Sequence, residues 1–352
     1  MIIAVIAFIG ILAVLIIVHE LGHFITAKAS RVKVEEFGLG FPPRLLSIKR
    51  GETRYSLNAI PLGGFIKMAG EEDPKVTGSL ASKSIGTRLL ILSAGSLMNA
   101  LLPLLLLSIA FMVPHDMLTG QVAVEEVAPS SPAASAGIES GDVILSINEK
   151  PVHNINDLQR NIYLNLGKEI TLLIKHSDST TEDIRVIPRW TPPGGEGAIG
   201  VAVRLLNPTV ISQHYPFWKA IPMGVGGCIE AFVIFKNGIL SMIIGAAPVA
   251  VAGPVGIAHV TAEVAKAGIS PLLEFAAFLS INLALINIFP LPALDGGRIV
   301  FVLLEWVRRG KRISPKTENL VHLIGFSMLM AAILIITYQD IIRIISGESL
   351  IP

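Results

Sequence analysis

The organisation of this chain is set by the sequence Ile16-Ile17-Val18-His19-Glu20-Leu21-Gly22-His23-Phe24, which ends an apolar run that begins at Met1. Its HExxH pattern places two histidines four residues apart, so on a helix both imidazoles project from one face and can bind one Zn²⁺. Glu20 lies between them, where a carboxylate can take a proton from a water on the metal. Alone, the motif also fits a helix with two ordinary surface histidines.

The setting of the motif favours the metal. Residues 1–18 contain no charged or strongly polar side chain, and at about 1.5 Å per residue they almost cross a bilayer. Two histidines and a glutamate inside such a span are costly without partners, and a metal satisfies all three. No basic segment or A-x-A cleavage site flanks the run, so we expect a retained span rather than a removed signal peptide.

Composition indicates the class of protein. The chain has 352 residues, of which 52% are hydrophobic and 16% charged, and its mean hydropathy is +0.65. These values indicate a polytopic membrane protein. The net charge of +1 gives no indication of a nucleic-acid partner, and none is expected. The single Cys228 excludes an internal disulfide and a Cys-rich metal site.

A basic segment follows the first span. Residues 28–88 carry eleven Lys or Arg and six Asp or Glu, which predicts the cytoplasmic side and an outside N-terminus. Short runs broken by Gly and Pro predict strands at 32–41, 44–48, 55–60 and 65–68. The segment is apolar enough to dip into the membrane, where a strand edge can pair with an extended peptide. A plain cytosolic hairpin fits the same residues.

A second span is predicted at residues 89–113, and it contains Gly95 and Asn99. Small residues such as Gly95 permit close helix approach. Asn99 is costly in lipid unless it finds a partner. Two interpretations stay open for Asn99: an interhelical hydrogen bond, or a donor beside the metal site.

Residues 120–188 change character, with more charge and short Val/Ile/Leu-rich runs between turns. They predict a small soluble α+β domain with a helix at 155–163 capped by Asn154 or Asn156. Its strands are expected at 121–127, 143–148 and 170–176. The order Ala136-Gly137-Ile138, then Gly141-Asp142-Val143-Ile144, resembles a PDZ domain of the bacterial protease type. Such domains take an extended peptide by strand addition, although a spacer or gate that binds nothing also fits.

Asp295 is the candidate third ligand. A third span at 272–289 carries Asn282 and Asn287 and ends in Pro290-Leu-Pro-Ala-Leu-Asp295-Gly-Gly. The prolines break the helix at membrane depth, which is tolerated only where protein or a cavity lines the break. A carboxylate there completes a His₂-carboxylate zinc set and leaves a place for water. Alone, Asp295 also fits a helix cap or an ion pair.

Topology favours four spans, the last at residues 320–338. If span one runs inward and span two outward, the PDZ-like domain lies outside, and a third span brings Asp295 to the level of His19 and His23. A further span at 229–252 would put Asp295 and the basic loop 308–316 on the wrong side. We therefore expect interfacial helices across residues 216–252.

Together these motifs resemble the site-2 protease family, in its bacterial regulator-of-sigma-E-protease branch. The resemblance rests on HExxH, Gly95-x-x-x-Asn99, the PDZ-like insert and Asn287-x-x-Pro-x-Pro-x-Leu-Asp-Gly-Gly297. It implies an α-helical polytopic membrane protein with about four transmembrane helices, a membrane-associated β loop and an inserted α+β PDZ-like domain. It also implies an intramembrane zinc protease that cuts single-span proteins, namely anti-sigma factors or remnant signal peptides.

The resemblance also assigns roles to residues. It implies that the Zn²⁺ ligands are His19, His23 and Asp295. It implies that the general base is Glu20. It implies substrate-binding residues, which are Asn99, Asn282, Asn287, Gly64 and Phe65. Two departures are visible: there is room for one PDZ domain where some relatives have two, and Pro42 stands where a glycine is expected.

The predicted organisation has three parts. Residues 1–113 form an N-terminal membrane core, 114–215 the extracytoplasmic PDZ-like domain with its linker, and 216–352 the interfacial helices and C-terminal membrane core. The expected location is the bacterial inner membrane, in contact with lipid, with the PDZ-like domain touching a substrate ectodomain or peptide. Two alternatives are a PDZ-bearing scaffold with a vestigial metal site and a divalent-metal transporter. The intact Glu20 favours catalysis over the scaffold, and ionisable groups that converge on one spot disfavour a transport path.

Overall fold

The computed structural model describes residues 2–71, 73–246 and 252–346. The helices in this part are α1 (Ile2–Ala29), α2 (Ile85–Met112), α3 (Pro132–Ser135), α4 (Ile155–Leu164), α5 (Phe217–Ile243), α6 (Pro254–Ala267), α7 (Ile269–Ile288), α8 (Asp295–Val307) and α9 (Pro315–Ser346). The strands are β1 (Val34–Arg50), β2 (Thr53–Met68), β3 (His115–Val127), β4 (Val143–Ile147), β5 (Lys150–Pro151), β6 (Ile170–Lys175), β7 (Thr181–Val186) and β8 (Val201–Gln213).

Among the described residues, five helices are long and apolar enough to cross a membrane, namely α1, α2, α5, α7 and α9. Four of them overlap the spans that the sequence predicts. The polytopic membrane architecture with added β structure is therefore confirmed. The fifth, α5, falls in the segment where no span was expected.

Helix α5 corrects one prediction. Residues 217–243 form one continuous helix of 27 residues, so the expectation of more than one helix is wrong over residues 217–246. Residues 247–251 lie outside the described part. Pro222 and several glycines lie inside α5 without ending it. A glycine inside a helix costs only about 1 kcal/mol relative to alanine, which packing can offset.

The chain divides into two compact units. The membrane unit combines Met1–Ala110, Ala220–Gly224 and Val251–Pro352, and the inserted unit combines Phe111–Lys219 and Val225–Ala250. The grouping differs from the expected division at residue 216, because most of α5 belongs with the inserted unit.

In the membrane unit, β1 and β2 form a bent ribbon. Residues 36–39 lie opposite 64–67 on one side and 54–57 on the other, and 46–49 pair with 54–57. Residues 64–67, the edge segment, therefore lie at one edge of the ribbon. The bend requires glycine at Gly40, which has φ +81° and where a Cβ would lie 2.6 Å from the Ile60 carbonyl oxygen. The predicted strands of this region are confirmed.

Aromatic rings attach this ribbon to the metal-motif helix. The ring of Phe24, next to His23 on α1, lies edge-on to Phe37 of β1 at 5.6 Å between centroids and 6.1 Å from Tyr55 of β2. Edge-to-face pairs at these separations are favourable beyond the area they bury. The ribbon is thereby held against the helix turn that carries His23.

The inserted unit contains a sheet in the order β7-β6-β4-β3-β8, with β5 beside β4. Along β6, Ile170, Leu172 and Ile174 alternate with less buried residues and are fully buried in the core of the unit. This period of two is that of a strand with one face on a core. Asn154 caps α4 by accepting a hydrogen bond from the Asp157 amide at 2.8 Å, as predicted. The expected strands and helix of this domain are confirmed.

Helix α5 is attached to the rest of the inserted unit through polar contacts. Glu230, at the middle of α5, forms ion pairs with Lys150 and Arg160. Further along α5, the Asn237 amide donates a hydrogen bond to the Tyr163 carbonyl oxygen at 2.7 Å. The middle and second half of α5 therefore lie against the segment from β5 to the end of α4.

Candidate metal centre

His19 and His23 lie one turn apart on α1, and the structure brings Asp295 to both. The two Nε2 atoms are 3.2 Å apart, and Asp295 Oδ2 lies 3.1 Å from His19 Nε2 and 3.2 Å from His23 Nε2. These three residues, the ligand trio, form the one His/Cys/Asp/Glu group among the described residues that meets the geometry of a metal site.

The spacing of the ligand trio fits zinc. Tetrahedral Zn²⁺ binds nitrogen and oxygen at about 2.0–2.2 Å, which puts neighbouring donor atoms about 3.3 Å apart. The three observed separations of 3.1–3.2 Å are close to that value. Three protein donors leave a fourth position open, as in catalytic rather than structural zinc sites.

Glycines let helix α2 approach the two histidines. A Cβ at Gly95 would overlap His23 Nε2 and lie 2.7 Å from His19 Nε2, and a Cβ at Gly22 would overlap the Ala94 carbonyl oxygen. Any side chain at Gly95 would therefore occupy the space of the ligand atoms. The sequence indicated Gly95 as a helix-packing residue, whereas its position against both imidazoles needed the structure.

Backbone and amide groups orient the imidazoles. His23 Nδ1 lies 2.7 Å from the Ile91 carbonyl oxygen; since a carbonyl only accepts, Nδ1 carries the proton and Nε2 is left for a metal. The Asn99 side chain is buried, with its amide 3.5 Å from His19 Nδ1. Asn99 Oδ1 has no hydrogen-bond partner as placed, and turning the amide over directs this oxygen to a proton on His19 Nδ1.

The turn before α8 presents Asp295. Pro290 and Pro292 separate α7 from α8, and Asp295 is the first residue of α8, where the helix dipole favours a carboxylate. A Cβ at Gly297 would lie 2.5 Å from the Leu291 carbonyl oxygen, and one at Gly296 would overlap the carbonyl oxygen of residue 289. The two glycines of the Asp-Gly-Gly sequence therefore allow the chain to turn this tightly.

A cavity of about 400 Å³ surrounds the ligand trio. Its lining includes Glu20, and among the residues expected to contact substrate it includes Asn99, Asn287, Gly64 and Phe65. The edge segment reaches Glu20 closely: a Cβ at Gly64 would lie 2.9 Å from Glu20 Cγ. Glycine therefore brings the strand edge and the candidate base together.

Asn282 is not part of this lining, contrary to expectation. It lies five residues before Asn287 on α7, and five helical steps of about 100° rotate a side chain by about 140°. Asn287 and Leu283, four residues apart, share the face that lines the cavity. Asn282 therefore lies on a different face of α7 from Asn287, and its contact with a substrate stays a prediction.

Arg298 is a site residue that the sequence reasoning missed. It lines the cavity and its Nη1 lies 3.1 Å from Glu71 Oε2, while Glu71 Oε1 accepts a hydrogen bond from the Met68 amide at 3.0 Å. The edge segment is thereby connected to the helix of Asp295. The spacing was the available signal, because residues 295 and 298 share one face of a helix.

A second ion-pair network fixes α8 to α2. Glu305 accepts from Arg88 Nη1 at 2.6 Å and from Arg312 Nε at 3.1 Å. Burial by itself raises the pKa of Glu305, but the hydrogen bonds and charges of the two arginines outweigh burial and hold that pKa below its ordinary value. Glu305 is therefore ionised at neutral pH, and it helps fix the helix that begins with Asp295.

Comparisons with known proteins show which family this chain resembles. The model of the family described as "Peptidase family M50" matches residues 7–332. A Clostridium acetobutylicum protein provisionally named a zinc metalloprotease is 36% identical over 97% of each chain. The Bacillus subtilis protein named regulator of sigma-W protease RasP is 28% identical over 97% of this chain and 98% of its own, and an Oceanobacillus iheyensis zinc metalloprotease RasP is 28% identical over 97% of this chain and 99% of its own.

The purified chain is expected to carry about one zinc ion. Gly95→Ala is expected to reduce this zinc content to below about a tenth, because the added methyl group occupies the space of the ligand atoms. Gly86→Ala is the matched control in the same helix, since a Cβ there meets nothing within 4 Å. Elemental analysis of chelator-free preparations measures both. Wild-type zinc content in Gly95→Ala would contradict the site.

Proposed function

The chain belongs to peptidase family M50 and is a zinc metalloprotease, and on that premise we propose that it cleaves the transmembrane segments of single-span membrane proteins. The observation that carries the proposal is the ligand trio together with Glu20 in one cavity whose wall includes a strand edge. The helices that supply this cavity include three with the length and composition of membrane spans, α1, α2 and α7.

The ligand trio would hold the metal through two imidazole nitrogens and one carboxylate oxygen. Bound zinc supplies Lewis-acid chemistry, polarising a peptide carbonyl and lowering the pKa of water to near 7. Glu20 then accepts a proton from the attacking water and passes it to the departing amide nitrogen, as a general base and then a general acid. Asn99 and Asn287 lie in the same cavity and can donate hydrogen bonds to the developing oxyanion or to the opened substrate backbone.

The edge segment can bind a substrate helix after it has unwound. A helical substrate hides its carbonyls in hydrogen bonds to the residue four further on, so it must unwind before attack. Strand addition at residues 64–67 would hold the unwound segment extended and replace its lost hydrogen bonds. Gly64 and Phe65 are then substrate-binding residues beside Glu20.

The relatives as well as the site support this class of substrate. The Bacillus subtilis relative is named for regulating sigma-W, which favours anti-sigma factors as substrates for this chain, and remnant signal peptides share the same single-span form. The relatives compared above are bacterial. The location we propose is accordingly the inner membrane of a bacterium.

Four spans remain the proposed topology, with α5 lying outside the hydrocarbon. Glu230 is at the middle of α5, and its partners Lys150 and Arg160 have exposed fractions of 61% and 46% in their side chains. If α5 crossed the bilayer, these three charges would lie near its centre, at a cost of about 2.5–3.5 kcal/mol for each charged residue on an insertion scale. An interfacial or extracytoplasmic α5 avoids that cost.

Truncation fusions test the topology. A reporter fused after Asp142 is expected outside and one fused after Lys311 is expected in the cytoplasm, because an odd number of crossings separates the two points when α5 does not span. Alkaline phosphatase and a fluorescent protein read the two sides in opposite senses and serve as mutual controls. Both fusions on the same side would make α5 a fifth span.

The inserted unit is proposed to be a PDZ-like domain that screens substrates by the size of their ectodomains. Strands β3 and β8 pair along their length, from His115 opposite Gln213 to Val127 opposite Val201. The chain therefore enters and leaves the domain through one antiparallel pair of strands. The domain can therefore be excised cleanly. Replacing residues 121–207 by Asn-Gly leaves 115–119 paired with 209–213 and closes them as a hairpin.

The excised chain is expected to keep its zinc and to cleave substrates with bulky ectodomains that the whole chain rejects. Excision also removes the partners of Glu230, so Glu230→Gln in the whole chain is the matched control for loss of the α5 attachment. A panel of tagged substrates with ectodomains of increasing size measures the range. An excised chain with zinc but no cleavage would indicate a structural role instead of screening.

Glu20→Gln separates the protease from a scaffold and from a transporter. The amide keeps the shape of the side chain but cannot take a proton, so cleavage is expected to fall by on the order of 10²–10⁴-fold while zinc content stays unchanged. Glu52→Gln, at the exposed turn between β1 and β2, is the matched control. Blots of a tagged single-span substrate and zinc analysis of the same membranes measure both effects.

Each alternative predicts a different outcome. A scaffold predicts that Glu20→Gln is silent, and a transporter predicts altered metal flux with no proteolytic fragment from either chain. Undiminished cleavage by Glu20→Gln would contradict Glu20 as the base.

A further inference from the structure

The loop that precedes Asp295 has an unusual backbone. Ala293 has φ +74°, a left-handed conformation that is costly for a residue with a side chain. Leu294, the residue before α8, makes no side-chain cap. Something outside the loop must therefore stabilise the conformation that presents Asp295.

Helix α9 supplies that support. His322 Nδ1 accepts a hydrogen bond from the Ala293 amide at 3.0 Å. Three residues further on, a Cβ at Gly325 would overlap Pro292 Cβ and lie 3.0 Å from its carbonyl carbon. Because residues three apart share a helix face, one face of α9 both binds the loop and makes room for it.

The hydrogen bond defines the state of His322. Accepting at Nδ1 requires a neutral imidazole whose proton is on Nε2. Phe301 of α8 packs beside the ring at 5.5 Å between centroids, which restricts its rotation. His322 also lines a polar cavity of about 80 Å³ with Glu71 and Arg298. This cavity is large enough for a water molecule that accepts a hydrogen bond from the Nε2–H group.

We propose that His322 and Gly325 are positioning residues, through which α9 sets the place of Asp295 in the ligand trio. Neither residue lines the cavity around the trio, so both act through residues 292–293. The inference rests on the proposed function of Asp295 as a zinc ligand.

Four variants test the proposal in the full-length chain. His322→Leu removes the acceptor, and His322→Asn keeps an acceptor oxygen near the position of Nδ1. Gly325→Ala pushes against Pro292, and Gly10→Ala is its matched control, a helix glycine where a Cβ meets nothing within 4 Å. The measurement is zinc affinity by competition with a chelator, which does not depend on any substrate.

His322→Leu and Gly325→Ala are expected to weaken zinc binding by about tenfold or more, as is common for residues that orient ligands. His322→Asn and Gly10→Ala are expected to bind nearly as the wild type does. If His322→Asn binds as weakly as His322→Leu, or if Gly325→Ala binds as the wild type, the proposal fails. If the His322→Leu protein does not accumulate, the zinc affinities of Gly325→Ala and Gly10→Ala decide whether the proposal holds.

Asp295→Ala, measured alongside, separates this proposal from the one on which it rests. Unchanged zinc affinity in Asp295→Ala would overturn the ligand trio itself. Weakened affinity in Asp295→Ala with wild-type affinity in the α9 variants would overturn only the role of α9.

Discussion

Placing His19, His23 and Asp295 together between apolar helices is energetically costly. Their ligand atoms lie 3.1–3.2 Å apart, a separation at which a metal ion gives each donor atom a partner. Polar groups at membrane depth need such partners far more than groups in water do. The elements around them are arranged to permit this convergence.

The arrangement requires that the helices approach closely and that the ligand side chains are oriented. Glycines let α2 meet α1 at the imidazoles and let the chain turn tightly before and into α8. The Ile91 carbonyl oxygen then orients His23. The edge segment and the pair Arg298–Glu71 bring a strand to the same cavity, so that the metal chemistry and a place for an extended peptide coincide.

Much of this could be predicted from sequence because the chemistry is carried by short motifs. HExxH and the Pro-rich Asp-Gly-Gly turn predicted the ligand trio, and the membership of the site-2 protease family that they indicated is confirmed as peptidase family M50. The strands of the inserted unit were also predicted, because turns separate their Val/Ile/Leu-rich runs. In residues 32–68 the short predicted runs join into two long bent strands that contain the Gly and Pro residues. The convergence of His19, His23 and Asp295 is observed, while their role as zinc ligands and the role of Glu20 as the base stay predictions.

What sequence could not supply depends on rotation and on distant contacts. Asn282 and Asn287 look equivalent as a polar pair, yet a helix turns them to different faces. The continuity of α5 through Pro222 and its glycines was not expected, and its polar partners on α4 and β5 are distant in sequence. The contact of His322 with Ala293 joins different elements of the chain, so no local pattern indicates it.

Zinc X-ray absorption on the full-length chain reports directly on the ligands that hold the metal. The ligand trio predicts a first shell of nitrogen and oxygen at about 2.0–2.2 Å, with the scattering of two imidazoles and no sulfur near about 2.3 Å. Asp295→Asn should alter the oxygen contribution while both imidazoles remain. A sulfur ligand, which could come only from Cys228 or a methionine, or a single imidazole, would contradict the site.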